Sequence, residues 1–139
     1  MADHLDRFVS AQAGIYARAL AELEAGRKES HWMWFIFPQI AGLGRSPTAR
    51  LYAIASRAEA EAYLSHPLLG ERLAECTAAV LRHAGTPAEY IFGTVDAMKF
   101  HSSMTLFDAV AGAAAPGFAQ ALSAFFGGVP DAATQRLLG

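Results

Sequence analysis

Cysteine is almost missing from this chain. Cys76 stands alone, so no intrachain disulfide forms and a Cys-rich zinc site is excluded. Charge of either sign is sparse as well. Thirteen Asp and Glu face eleven Lys and Arg, for a formal net charge of -2, and they are scattered rather than grouped in blocks. Global charge therefore predicts neither nucleic-acid binding nor steering toward an acidic surface. No apolar run approaches the ~20 residues that cross a bilayer, and the densest, Trp32 to Phe37, is stopped by Pro38. The opening MADHLDRF has neither the basic start nor the apolar run of a signal peptide. A cytoplasmic location and no membrane partner are the expectation. Clean period-two alternation, the mark of half-buried strands, is nearly absent.

What the chain does have is apolar bulk. It is 53% hydrophobic over 139 residues, with nine Phe, four Tyr and two Trp, enough for one filled core and too apolar for a disordered chain. There is no fixed-period repeat and no low-complexity linker, so residues 1–139 read as one domain. Helical spacing dominates. Leu5, Phe8, Val9, Tyr16, Leu20 and Leu23 form a stripe over 5–25 that Gly26 ends, with Gly14 a candidate break. Ser46 is a natural N-cap with Pro47 at the first helical position. Ser56 to Glu59 is a capping box, and Thr86 to Glu89 repeats the pattern. Leu69, Leu73, Cys76 and Val80 mark another stripe, on which the thiol reads as buried and inert. Thr94 is a candidate cap for a helix whose stripe is Phe100, Ser103, Met104, Phe107 and Ala111. Phe118 to Phe126 fits helical spacing, and a short helix follows from Asp131. WMWFIF suits a buried strand or a buried helix; Ser30 as a cap favours a short helix. The expected fold is all-α, compact and multihelical.

Three segments hold residues able to carry chemistry. In GLGRSP, Gly42 to Pro47, a capped helix start and Arg45 suit an anion such as phosphate. The plainer reading is an inter-helix turn, since the strand that precedes a dinucleotide fingerprint is missing. In SHWMWFIFPQ, His31 sits beside Trp32 and Trp34, and Gln39 follows Pro38. A second amide, Gln12, occupies an apolar stripe where Leu would be expected. Buried amides need partners, a histidine here is a candidate general acid/base, and the aromatics suit a flat ring. A satisfied core histidine among core tryptophans is the plainer alternative. In KFHSSMTLF, Lys99, His101, Ser102 and Ser103 are close in sequence. Neighbouring helical residues point to different faces, so His101 does not activate Ser102 directly, and the G-x-S-x-G elbow of hydrolases is absent. His4 and His83 read as surface residues, and His66–Pro67 as a helix-start turn. No His or carboxylate pair shows metal spacing, so neither metal nor cofactor is expected.

On Ala11-Gln12, Tyr16, GRKESHWMWFIFPQ, GLGRSP, Tyr52, EAYLSHPLLGERL, IFG and SSMTLF, the chain resembles the bacterial domain of unknown function 1810 family along nearly its whole length. The resemblance implies a multihelical fold and brings no activity, cofactor or catalytic residue. Members are sometimes labelled calpastatin. Calpastatin-type inhibitors are long, repetitive and disordered, whereas this chain is aromatic-rich, so the label does not transfer.

Together these readings lead to a small domain binding a compact anionic or phosphorylated ligand, with turnover as an option. Lys28, Arg45 and the Ser46 helix start would hold the anion, and Trp32 or Trp34 would supply an apolar wall. Gln12, Gln39, Lys99 and Ser102 would line the pocket, and His31 would be the acid/base. The alternative is a protein-interaction or structural module in which the aromatics are all core. Nucleic acid is not an expected partner.

Overall fold

A computed structural model describes residues 4–139. The helical stripes become α1 (Asp6–Gln12), α2 (Tyr16–Glu24), α3 (Met33–Ile36), α4 (Pro47–Leu51), α5 (Arg57–Ser65) and α6 (Leu69–Leu81). After these come α7 (Ala88–Phe92), α8 (Thr94–Ala111), α9 (Gly117–Phe126) and α10 (Ala132–Leu138). The fold is all-α, as expected. The strand-like feature among the described residues is an isolated parallel bridge between Ile40 and Ile54. There the Ile54 N–H donates to the Gln39 carbonyl and the Ala41 N–H to the Ile54 carbonyl, both at 2.8 Å. WMWFIF is a short helix, α3. None of the described helices is long and apolar enough to cross a membrane.

Local chemistry sets most boundaries. Gly14, at φ +77°, divides the first stripe into α1 and α2. Ser46 Oγ accepts from the Ala49 N–H at 3.1 Å and Ser56 Oγ from the Glu59 N–H at 3.2 Å, each satisfying an orphan donor of a first turn. The His66–Pro67 turn works through the imidazole: Nδ1 accepts from the Leu68 and Leu69 N–H groups at 3.1 and 3.2 Å. Three starts differ from expectation. Ser30 does not cap α3, whose cap position is Trp32, because the Ser30 hydroxyl donates to Glu22 instead. Thr86 makes no capping bond, because α7 begins one residue later with Pro87 in the cap position. Thr94 is the first residue of α8 rather than its cap, and Gly93, at φ +82°, makes the turn before it. His83 is also not a plain surface residue. Its Nε2–H donates to the Leu23 and Glu24 carbonyls, both at 3.0 Å, closing the C-terminal end of α2.

Helix α8 is the axis of the core. Its stripe is buried from Phe100 to Phe107, and so are Ser102, Thr105 and Leu106 on other faces, because α5, α7, α9 and α10 all pack on it. Phe100 meets Phe37 edge-on at 5.0 Å and stacks on Phe92 at 4.8 Å. Farther along, Tyr63 bridges Phe8 and Phe107. Cys76 is fully buried, and burial pushes its thiol up to about 12, matching the inert reading.

Two polar clamps tie the N-terminal helices to this core. The Arg7 guanidinium donates to the Leu51 and Ala53 carbonyls, both at 2.7 Å, and pairs with Glu59 at 3.2 Å. The Gln12 amide donates to the Phe35 carbonyl at 2.8 Å and to the Tyr63 hydroxyl at 3.3 Å, while its oxygen accepts from Arg72 at 3.2 Å.

Two alanine substitutions should move stability in opposite directions. A Cβ at Gly70 would lie 2.1 Å from the Leu64 carbonyl oxygen, a backbone atom that gives way only if α5 and α6 separate. Gly70→Ala should cost about 1–3 kcal/mol despite the better helix propensity. Ser103 Oγ is buried without a partner among the described residues, so Ser103→Ala should gain about 0.5–1 kcal/mol. Urea unfolding midpoints check both signs.

Candidate functional site

The site is organised by a carboxylate that the sequence reading passed over. Glu22, in the last turn of α2, accepts from the Glu29 N–H at 2.8 Å, the Ser30 N–H at 3.0 Å and the Ser30 hydroxyl at 2.6 Å. It also accepts from the Trp32 indole N–H at 2.9 Å, and Arg18 pairs with it at 3.5 Å. Burial opposes its charge. The donors from Ser30, Glu29 and Trp32 outweigh that and hold the carboxyl down at about 2. This turn buries Trp32 completely and leaves His31 exposed.

The same turn directs Lys28 inward. Its N–H donates to the Ile91 carbonyl at 2.7 Å. Its ammonium, on a side chain only 7% exposed, lies 2.8 Å from Asp96 Oδ2, donates to the Ser30 carbonyl at 2.6 Å and sits 5.0 Å over the Trp32 ring. Asp96 is in the first turn of α8, where a negative charge complements the helix dipole. One turn later, Lys99 lies 3.3 Å from Asp96 Oδ1 and 4.9 Å over the Trp34 ring. Two ammonium groups thus share one carboxylate, and the cluster keeps a positive charge.

Lys99 stands at an open groove of about 360 Å³. Gln39, Leu43 and Gly44 form one wall, Met98, Lys99, His101 and Ser102 of α8 form the floor, and Asp131 closes the far side. Trp34 stands beside it in a crevice that shares Gln39 and Gly44. Ser102 Oγ donates to the Met98 carbonyl at 3.1 Å and to Asp131 Oδ2 at 3.4 Å. Thr134 donates its hydroxyl and N–H to the same Oδ2, at 2.6 and 3.0 Å. Burial again opposes the charge, but the Thr134 donors hold the Asp131 carboxyl below the usual carboxylate range. His101 lies flat on Phe126, and its Nε2–H donates to the Val129 carbonyl at 2.7 Å. The imidazole is therefore committed to the α9–α10 connection and is not paired with Ser102.

Of the residues singled out in the sequence, the structure brings Gln39, Lys99 and Ser102 to this groove, with Trp34 adjacent and Lys28 linked through Asp96. Gln12 and Trp32 are enclosed in the core with their polar atoms bonded. Ser46 serves as a helix cap, and His31, Arg45 and Ser46 are exposed outside the groove lining. The sequence reading missed Glu22, Asp96 and Asp131. Asp96 and Lys99 at i, i+3 on one helix were the readable signal. Among the described residues no three His, Cys, Asp or Glu side chains form a metal-holding group.

Residues 2–138 match the model of a family described as a protein of unknown function, DUF1810. The crystal structure of a conserved hypothetical protein from Mycobacterium tuberculosis is similar at a TM-score of 0.93. It shares 52% identity and covers 96% of this chain and 95% of that one. No curated protein matches the chain.

The Glu22 carboxyl sits at about 2 in the fold, against an ordinary value of 4.5. Its contribution is complete above about pH 4.5 and fades as the pH falls toward 2. Urea unfolding from pH 7 to pH 2.5 should show stability dropping across that window. Glu22→Gln should cost about 2 kcal/mol at pH 7 and give a visibly shallower acid slope. An unchanged slope would remove Glu22 from this role.

Proposed function

The chain belongs to the DUF1810 family, and from the groove beside Lys99 we propose that it binds a compact small molecule bearing an anionic group such as phosphate. The observation that carries the reading is convergence. Three segments far apart in the chain, carrying Gln39 with Gly44, Lys99 with Ser102, and Asp131, line one open groove. Pockets for small ligands combine an apolar lining with a few converging polar groups, and here Leu43 and Met98 supply the apolar part.

Charge supports an anion at the Lys99 end. Asp96 is shared by two ammonium groups, and the shorter contact goes to Lys28. Lys99 is therefore the less committed cation and keeps attraction for an incoming oxyanion. The Gln39 amide, on the same lining, would hydrogen-bond the ligand. His31 lies outside the lining, so the reading is one of binding, and no acid/base step is assigned to it.

Amide chemical-shift titrations with inorganic phosphate, ethyl phosphate and a panel of nucleotides and phosphosugars test the idea. Saturable shifts should gather at Gln39, Gly44 and Met98 to Ser102, and Lys99→Met should weaken binding about tenfold. Quenching of Trp34 fluorescence, absent in Trp34→Phe, should follow the same curve. The absence of any saturable shift with the whole panel, or equal affinity in Lys99→Met, would sink the proposal.

A further inference from the structure

The far side of the groove is charged in the opposite sense, and the way Asp131 is bonded says what it is free to do. All the hydrogen bonds it receives from the described residues through its side chain, from Ser102 Oγ, the Thr134 N–H and the Thr134 hydroxyl, fall on Oδ2. Oδ1 accepts none of them, and it is not among the buried atoms that lack a partner, so it is accessible on a residue that lines the groove. The carboxylate itself is rigid. Its backbone N–H donates to Thr105 Oγ1 at 2.9 Å, and Thr105 in turn donates to the His101 carbonyl at 2.8 Å. The groove thus has a fixed acceptor at one end and an ammonium at the other.

Helix α8 sets them on one stretch of the groove. Lys99 and Ser102 are neighbours on one face, with Cβ atoms ~5–6 Å apart, and Ser102 touches Asp131. A simple anion would satisfy Lys99 and leave its own charge facing Asp131. A molecule with a positive group at its other end satisfies both, without stranding a charge in a partly desolvated groove.

We infer that the groove's ligand is a small zwitterion, its anionic group on Lys99 and its protonated amine on Asp131 Oδ1, with the Leu43 and Met98 side chains against its carbon chain. The inference rests on the anion-binding reading above and adds a second recognition element to it. Phosphorylated amino alcohols and ω-amino acids share this chemistry.

The test compares phosphoethanolamine with ethyl phosphate, which has the same two-carbon chain but lacks the amine, by amide shift titration of the whole chain. The wild-type protein should bind phosphoethanolamine at least about fivefold more tightly. Asp131→Asn should abolish that preference and raise the affinity for ethyl phosphate, since the facing negative charge is gone while Asn caps a helix as well as Asp does. Asp131→Ser, also a good cap, repeats the measurement if the first variant is unfolded by circular dichroism. Glycerophosphoethanolamine separates a lipid headgroup diester from a free monoester, and a preference for either over its amine-free analogue supports the zwitterion. Equal affinity for phosphoethanolamine and ethyl phosphate, or a preference that survives in both Asp131 variants, overturns the inference and leaves the anion site standing. Failure of both ligands to bind overturns the two together.

Discussion

The carboxylate of Glu22 is the constraint on which the rest of the site depends. The segment from Gly26 to Trp32 has no regular structure of its own apart from turns, so its backbone donors need a partner from elsewhere. Glu22 takes two of them, together with a serine hydroxyl and an indole N–H. An ionised acceptor gathering this many donors is stronger than the same bonds made one at a time to neutral groups. The outcome is positional. Trp32 goes into the core, His31 is left outside, and Lys28 is aimed at Asp96. The charged cluster beneath the groove thus inherits its geometry from a residue that never touches the groove.

Helix α8 then serves two purposes with one element. From Phe100 to Phe107 it is enclosed by aromatic and aliphatic neighbours. In its first turns it exposes Val95 and Met98 and carries Asp96 and Lys99. A helix packed on several faces moves little, so the groups at its open end are held by the core rather than by loops. The far wall is fastened to the same helix through Thr105 and Ser102.

The fold was largely legible in the chain because its signals are local. Helical stripes, the Ser46 and Ser56 caps, the Gly14 break and the His66 turn all lie within a few residues of what they control. The misplaced starts, at Ser30, Thr86 and Thr94, missed by one or two residues, because Trp32, Pro87 and Gly93 take the cap positions. The site was less legible because its partners are distant. Gln12 was rightly singled out as an amide needing bonds, but those bonds go to Phe35, Tyr63 and Arg72 and hold helices together. His31 and Trp32 are adjacent in sequence and end on opposite sides of the surface. The carboxylates that looked scattered are the organisers, and nothing in the spacing of Asp131 from Ser102, 29 residues away, announces that they touch.

The bridge between Ile40 and Ile54 has a consequence for how such a protein changes over time. Residues 41–53 leave and rejoin the body at this bridge, braced by Arg7 on the returning end and by Tyr52 against Phe8 and Phe35, and α4 within them buries no residue. The segment is in effect a cassette. The exposed positions of α4 can vary while the two isoleucines and Tyr52 keep their places against the core, and Leu43 and Gly44 bring one wall of the groove along with it. Selection can therefore reshape what the groove accepts on that side without reopening the question of whether the chain folds.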